Sequence, residues 1–486
     1  MLTHEQQTEL LDEIRLIGSN GRAEGENTDR FPRTFWPVPE HLRAFDPDVV
    51  LIVGPRGAGK SELCIAVIDL QLLPAIAAHV PSIRLPSSTQ ARWIKAFPIG
   101  SNFPDQIVLR DFLTRPSTTD DHVERMWLAY LVRVLSTEMD RKPIEPLLRP
   151  QAGDVDAVTK AFGQCTKEAI SSLDRLDERL VTEDRYAFVG YDELDTLARA
   201  DPGSILKAVR GLVGLWATRT RRWRRIRAKI FLRTDLYVRA ATSAGADFAK
   251  LAANRAEITW SDFHLLAMLA RRFGNGGDRL VEYCRQSKVD FIDDQTLGKL
   301  PSVERPTEIR PLIERMIGPY MGANAGKGLT FTWVLDHIRD GRGQALPRPL
   351  VRLFEIAAEI QKNWTQYPRS PRLVEPRAIR RALDRVSEEH VQAALDEWPW
   401  LDGLKRCLSP IAQVPWQTRE VTKHVEQDWD ALETAAGEGG SNKLPAESAR
   451  DLIEYLVEVG IFRARRDARI DVPDLFLAGL GLKRKG

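Results

Sequence analysis

Hydrophobic and polar positions follow two rhythms along the chain. Three short runs, Val49–Val53, Tyr186–Tyr191 and Lys229–Leu232, are almost uninterruptedly apolar. Such runs suit strands covered on both faces. The stretches 119–138 and 155–179 instead place apolar residues at helical spacing. Strands separated by helices predict a parallel sheet covered by helices. Residues 2–16 carry Leu10, Leu11, Ile14 and Leu16, with Thr3 as N-cap, and predict a short helix. A helix is expected over Ser61–Leu73, ending before Pro74. The segment 81–113 is ambiguous: its β-type runs, Trp93–Phe97 and Gln106–Leu109, are broken by Pro and Ser. Beyond residue 245 the pattern is almost all helical. Loops are expected at 18–31, at Asp46-Pro47-Asp48, at 322–328, 345–349 and 367–376, and as a linker at 436–442.

A length of 486 residues suggests about three domains. Hydrophobic residues at 43% and charged residues at 28% describe a globular chain. The net charge of +2 excludes a polycation but not a local basic patch. Cys64, Cys165, Cys284 and Cys407 form no CxxC pair, and no His/Cys cluster has zinc-ligand spacing. A reducing cytoplasm is therefore expected. No signal peptide is visible at the N-terminus, and the apolar stretch Leu63–Val80 is interrupted by Asp69, Gln71 and Pro74. We expect a soluble cytoplasmic protein with no membrane contact.

The segment after the first apolar run changes the picture most. Gly54-Pro55-Arg56-Gly57-Ala58-Gly59-Lys60-Ser61 fits GxxxxGK[ST], and Glu62 follows. Glycines let backbone N–H groups turn inward around phosphate oxygens, and the following helix adds its positive end. Lys60 supplies charge to the β- and γ-phosphates, and Ser61 a hydroxyl to Mg²⁺. Gly54 through Glu62 is thus the expected binding segment for ATP.

A phosphate loop needs a carboxylate for magnesium and a group that handles water. The second apolar run ends in Asp192-Glu193-Leu194-Asp195. Asp192 is assigned to Mg²⁺ and Glu193 to the attacking water, with Asp195 a cap or extra acidic contact. The third run ends in Arg233-Thr234-Asp235. There Arg233 or Thr234 senses the γ-phosphate, or Arg233 pairs with Asp235 or another nearby carboxylate. Just before it, residues 219–229 hold seven cations in eleven positions. They read as a solvated helix end, a nucleic-acid contact or an arginine finger for a neighbouring subunit.

Near the C-terminus, residues 447–459 form an amphipathic helix, followed by two short β-like runs around Asp467-Ala468. Helix then hairpin resembles a winged-helix module. Arg463, Arg465, Arg466 and Arg469 of its wing are candidate DNA-phosphate contacts, or solvated residues of a gating module. Lys483-Arg484-Lys485 reads as a solvated terminus.

Together, the phrases GPRGAGKS, YDELD and KIFLRTD resemble the STAND and AAA+-like P-loop ATPases, many of them bacterial and encoded near antiphage defence genes. Asp192-Glu193-Leu194-Asp195 is also similar to the initiator ATPases of replication origins. Glu257–Ser261 and the helix after it look like the start of that clade's lid. Leu346–Leu353 looks like its PR-x-L helix, which implies a sensor role for Arg348. The resemblance covers roughly residues 34–360.

The expected architecture is an α/β P-loop sheet covered by helices, then a helical lid and a winged-helix-like module. The expected divisions are 1–46 leading into the core, 47–245 for the core, 246–365 for the lid and 366–486 for the C-terminal domain. The expected activity is ATP hydrolysis, acting as a switch on a separately encoded protein effector in antiphage defence. A DNA-binding initiator or loader is the alternative, with DNA contact through 219–229 and 463–469. A non-catalytic nucleotide-binding scaffold is a further reading. Oligomerisation is left open.

Overall fold

The computed structural model describes residues 2–18, 30–80, 85–87, 89–98, 103–197, 202–242, 246–364, 366–396, 398–437 and 444–485. The loop expected at 18–31 and the linker expected at 436–442 fall mostly outside them. The chain divides into two compact units, Pro37–Ile258 and Met1–Trp36 with Thr259–Gly486. Each has its own hydrophobic cluster.

In the unit Pro37–Ile258, five strands form one sheet: β1 (Leu51–Gly54), β2 (Ala91–Phe97), β3 (Tyr186–Tyr191), β4 (Ile226–Arg233) and β5 (Ala256–Glu257). Their spatial order is β2-β3-β4-β1-β5, and every pairing is parallel. Parallel strands need crossover connections, which the helical segments between them provide. All four residues of β1 and five of the six in β3 are buried, as continuous apolar runs require. The order places β4 between β1 and β3, so Arg233 pairs in register with Gly54 at the carboxyl ends. This is the P-loop NTPase arrangement of sheet, loop and helix.

Several local expectations change. Gln106–Thr114 is a helix, not a strand, because Asp105 caps it through the N–H of Ile107. The helix after the glycine loop runs only over Lys60–Cys64, continues as a π-turn over Ile65–Asp69 and breaks before Leu73–His79. Pro74 lies in the first turn of that new helix, where its missing N–H costs nothing. The stretch 155–179 is helical as expected, in two helices, Val155–Gln164 and Thr166–Thr182. The aromatic residues Phe97, Phe103, Trp127, Tyr130, Tyr191 and Trp216 pack together beside the sheet.

In the other unit, helix His4–Arg15 is capped by Thr3 as expected, with Gln6 closing a capping box. It packs against helix Pro347–Lys362, and Lys362 Nζ reaches Asp12 at 2.5 Å. Residues 1–36 thus cluster with 259–486. Arg271, fully buried, donates to the carbonyls of Arg33, Pro32 and Leu297 and ties the N-terminal segment down.

The region after 245 also contains strands. The hairpin β6 (Phe291–Asp294) and β7 (Gly298–Pro301) lies in a stretch that read as helical. Farther on come β8 (Gln413–Val414), β9 (Trp416–Gln417), β10 (Arg463–Ala464), β11 (Arg469–Asp471) and β12 (Lys483–Arg484). Strands β10 and β11 form the expected hairpin, and β11 also pairs antiparallel with β9. With helices Thr418–Gln427 and Ala449–Glu458 between β9 and β10, this is a winged-helix module. The tail 483–485 is exposed, as expected, but it is also paired. Strand β12 pairs with β8, and Arg484 bonds Asp471 and Asp474. Among the described residues, no single helix is long and apolar enough to cross a membrane.

Candidate nucleotide-binding site

The loop between β1 and the next helix has the backbone that phosphate binding requires. Gly57 and Gly59 lie in the left-handed region at φ 77° and 92°, where a side chain would be strained. Gly54 is crowded in another way: a Cβ there would lie 3.1 Å from Ile258 Cβ and 3.3 Å from Ala58 Cβ. Pro55 O accepts from the N–H of Ala58 at 3.2 Å and tightens the turn. Arg56 and Glu62 flank this turn, Glu62 in the first turn of the helix where its charge suits the dipole.

Lys60 folds back over the loop. Its Nζ donates to Gly54 O at 2.9 Å and Pro55 O at 3.0 Å. Lost hydration pushes its ammonium down to about 8, with Arg233 adding to the fall and Asp192, Asp195 and Asp235 opposing it. Asp192 stands at the end of β3 and is 4% exposed. Burial raises its pKa, and hydrogen bonds from the Ser61 hydroxyl and the Glu193 N–H pull it back. The structure therefore brings Lys60, Ser61 and Asp192 together although about 130 residues separate the two motifs. Ser61 and Asp192 offer a hydroxyl and a carboxylate in direct contact, an all-oxygen pair that fits Mg²⁺.

Glu193 follows in the left-handed region, at φ 53° and ψ 31°. For a residue other than glycine this costs on the order of 1–3 kcal/mol. Its carbonyl accepts from both the N–H (2.9 Å) and the hydroxyl (2.8 Å) of Thr196. Those bonds hold the chain in that conformation.

Arg233 is 8% exposed at the end of β4. Of its two alternatives, the pairing with nearby carboxylates is the one seen. Its guanidinium pairs with Asp235 at 3.0 and 2.9 Å and with Asp195 at 3.2 Å, yet it also acts electrostatically on Lys60. Asp195 is thus a partner of Arg233. Sequence reading assigned nothing to Lys95, on β2, or to Asp69. They pair at 3.0 Å, and the Lys95 charge is coupled to Glu193. A lysine inside the run Trp93–Phe97 was the available signal.

The remaining cations lie elsewhere. The stretch 219–229 leads into the amino end of β4, opposite the site. There Arg222 pairs with Asp174, Arg225 with Asp184, and Arg227 donates to the carbonyls of Thr220 and Trp223. Lys229 is fully buried, donating to the carbonyls of Asp46 and Val49. The exposed Arg221, Arg222 and Arg224 fit the solvated helix end in part, while Arg225, Arg227 and Lys229 stitch their own unit together. In the wing, Arg465 bonds Asp471, Arg469 bonds Asp467 and Arg463 donates to Asp340 O, while Arg466 is exposed. Arg348 is exposed in the first turn of helix Pro347–Lys362, in the unit that does not contain the loop.

No family model and no curated protein matches the chain. Similar solved structures include the ORC2 protein of Aeropyrum pernix in ADPNP–ADP complexes, at 13% identity and TM-score 0.35 over 90% of each chain. The Walker-type ATPase of Pyrococcus abyssi has 15% identity and TM-score 0.34 over 94% of this chain and 95% of that one. Cdc6p from Pyrobaculum aerophilum has 11% identity and TM-score 0.29 over 96% and 97%. At these values the likeness carries nothing about chemistry, which rests on the site's own geometry.

Proposed function

We propose that the chain is an ATP-hydrolysing switch. The observation that carries this reading is the convergence of Lys60, Ser61 and Asp192 at the carboxyl ends of β1 and β3, with Glu193 next in the chain. Backbone N–H groups of Gly57–Lys60 would cradle the phosphates, and the Lys60 ammonium would swing from its carbonyl partners to the β- and γ-oxygens. Ser61 Oγ and the Asp192 carboxylate would hold Mg²⁺, which supplies charge neutralisation at the phosphate oxygens. The Glu193 carboxylate orients the attacking water and accepts its proton, while Arg233 stands between the two motifs and reads the γ-position. The products are ADP and phosphate, and the loss of the γ-phosphate changes what Lys60 and Arg233 touch.

Steady-state turnover tests this. Lys60→Ala should abolish binding and hydrolysis. Glu193→Gln should retain ATP binding and lower turnover by at least about 100-fold, the lower end of what an acid–base group contributes. Wild-type rates in Lys60→Ala would sink the assignment. The sensor role implied for Arg348 is tested separately: Arg348→Ala should slow turnover with little change in nucleotide affinity. The resemblance points to a separately encoded effector in antiphage defence as the controlled partner.

A DNA-dependent ATPase is the second reading. It rests on the winged-helix module, where Arg419, Lys423 and Arg450 line an open groove between helices Thr418–Gln427 and Ala449–Glu458 together with Glu426 and Glu454. Duplex DNA that stimulates turnover at low salt, and less at high salt, would favour it. DNA-indifferent turnover would favour the partner-controlled switch.

A further inference from the structure

Three side chains in the C-terminal module meet although no sequence motif joins them. Cys407 lies in helix Trp400–Leu408, His424 in helix Thr418–Gln427, and Asp428 directly after it. One ligand atom of each, a thiol sulfur, an imidazole nitrogen and a carboxylate oxygen, lies within 4.8 Å of the other two. His424 and Asp428 stand four residues apart and so share a face of one helical turn. Cys407 is buried, and the other two are part-buried.

We propose that Cys407, His424 and Asp428 form a divalent-metal site of the zinc class, which fastens helix Trp400–Leu408 to helix Thr418–Gln427. The donor set argues for the metal. A thiolate and an imidazole select a borderline cation such as Zn²⁺ over Mg²⁺ or Ca²⁺, and a carboxylate is a common third zinc ligand. Zinc bonds of about 2.0–2.3 Å need only a small inward adjustment of side chains already this close. Three protein ligands leave a fourth position for water.

The surroundings are those of a metal-binding histidine. His424 Nε2 lies 2.7 Å from the carbonyl oxygen of Cys407, a partner that can only accept. Nε2 therefore carries the proton, and Nδ1 keeps the lone pair that coordination needs. A ligating imidazole commonly donates its second N–H to a backbone carbonyl in this way. The Cys407 thiol hydrogen-bonds to the Asp428 carboxylate. On binding, the S–H bond breaks, the proton leaves to water, and sulfur and carboxylate both bind the cation.

This site is separate from the phosphate loop, and cobalt is the probe that distinguishes them. Full-length protein stripped with chelator is titrated with Co²⁺ and then back-titrated with Zn²⁺. The expected result is one equivalent of tetrahedral Co²⁺ with a thiolate charge-transfer band that Zn²⁺ removes. The band should persist in Lys60→Ala, which alters the nucleotide site, and in Cys64→Ser, which removes a different buried thiol. It should vanish in Cys407→Ser. Asp428→Asn, a milder change that keeps the shape, should weaken binding by more than the 10–100-fold that loss of a supporting partner costs. Absence of the band in wild type, or its survival in Cys407→Ser, would overturn the proposal.

Discussion

Lys60 holds its charge where charge is expensive. Two carbonyl oxygens and the nearby carboxylates support the ammonium, but lost hydration wins and brings it to about 8. Triphosphate oxygens stabilise the protonated form, so binding ATP raises this pKa and takes up a proton when the free site is deprotonated. Affinity should then be nearly constant below pH 7 and fall as pH rises through 8. Between pH 7 and pH 9 the protonated fraction drops about tenfold, and Kd should rise by about the same factor. Lys60→Arg should be flat over that window, because a guanidinium stays charged. Calorimetric Kd values at both pH values check this; a flat profile in the wild type would show that Lys60 is protonated throughout. Lys60 itself was legible from its motif, as was Asp192 from its place after an apolar run. Of the partners of Arg233, Asp235 was legible two residues along the chain, but Asp195 was not, because it reaches Arg233 only once β3 and β4 are neighbours. Cys407, His424 and Asp428 were invisible for the same reason: their spacing matches no local ligand pattern.

At the scale of elements, β3 and the π-turn Ile65–Asp69 meet at one residue without a side chain. A Cβ on Gly190 would lie 2.2 Å from Ile68 Cδ1. Ile68 is buried, so neither partner has room to yield. Gly190→Ala should therefore cost about 1–3 kcal/mol through overpacking. Ile68→Val removes the Cδ1 methyl and alone should cost about 0.5–1.5 kcal/mol. In the double variant the clash is gone, so its loss should be smaller than the sum, and denaturant midpoints measure the difference. Additive losses would mean that another contact decides. Sequence periodicity found β1, β3 and β4 because fully buried strands are apolar throughout. It missed the break at Leu70–Leu72 and the hairpin β6–β7. Apolar content carries over from one helix to the next, and a polar two-stranded ribbon such as Phe291–Asp294 has little alternation to detect.

The described residues form two hydrophobic clusters, one drawn entirely from Pro37–Ile258 and the other from Met1–Trp36 with Thr259–Gly486. Only the first unit contains the phosphate loop and Asp192. A ligand that binds one folded unit stabilises that unit by mass action, by about 2.7 kcal/mol at 100 times Kd. For a unit of this size that corresponds to roughly 5–11 °C in Tm. Scanning calorimetry with saturating ATP and Mg²⁺ should then show two transitions, of which one moves up by that amount while the other stays. Lys60→Ala should lose the shift and keep both transitions, since the substitution removes a ligand contact and not a core residue. A single transition that moves as a whole would show instead that the two clusters unfold together, and nucleotide binding would then stabilise the winged-helix module as strongly as the sheet that holds the phosphate.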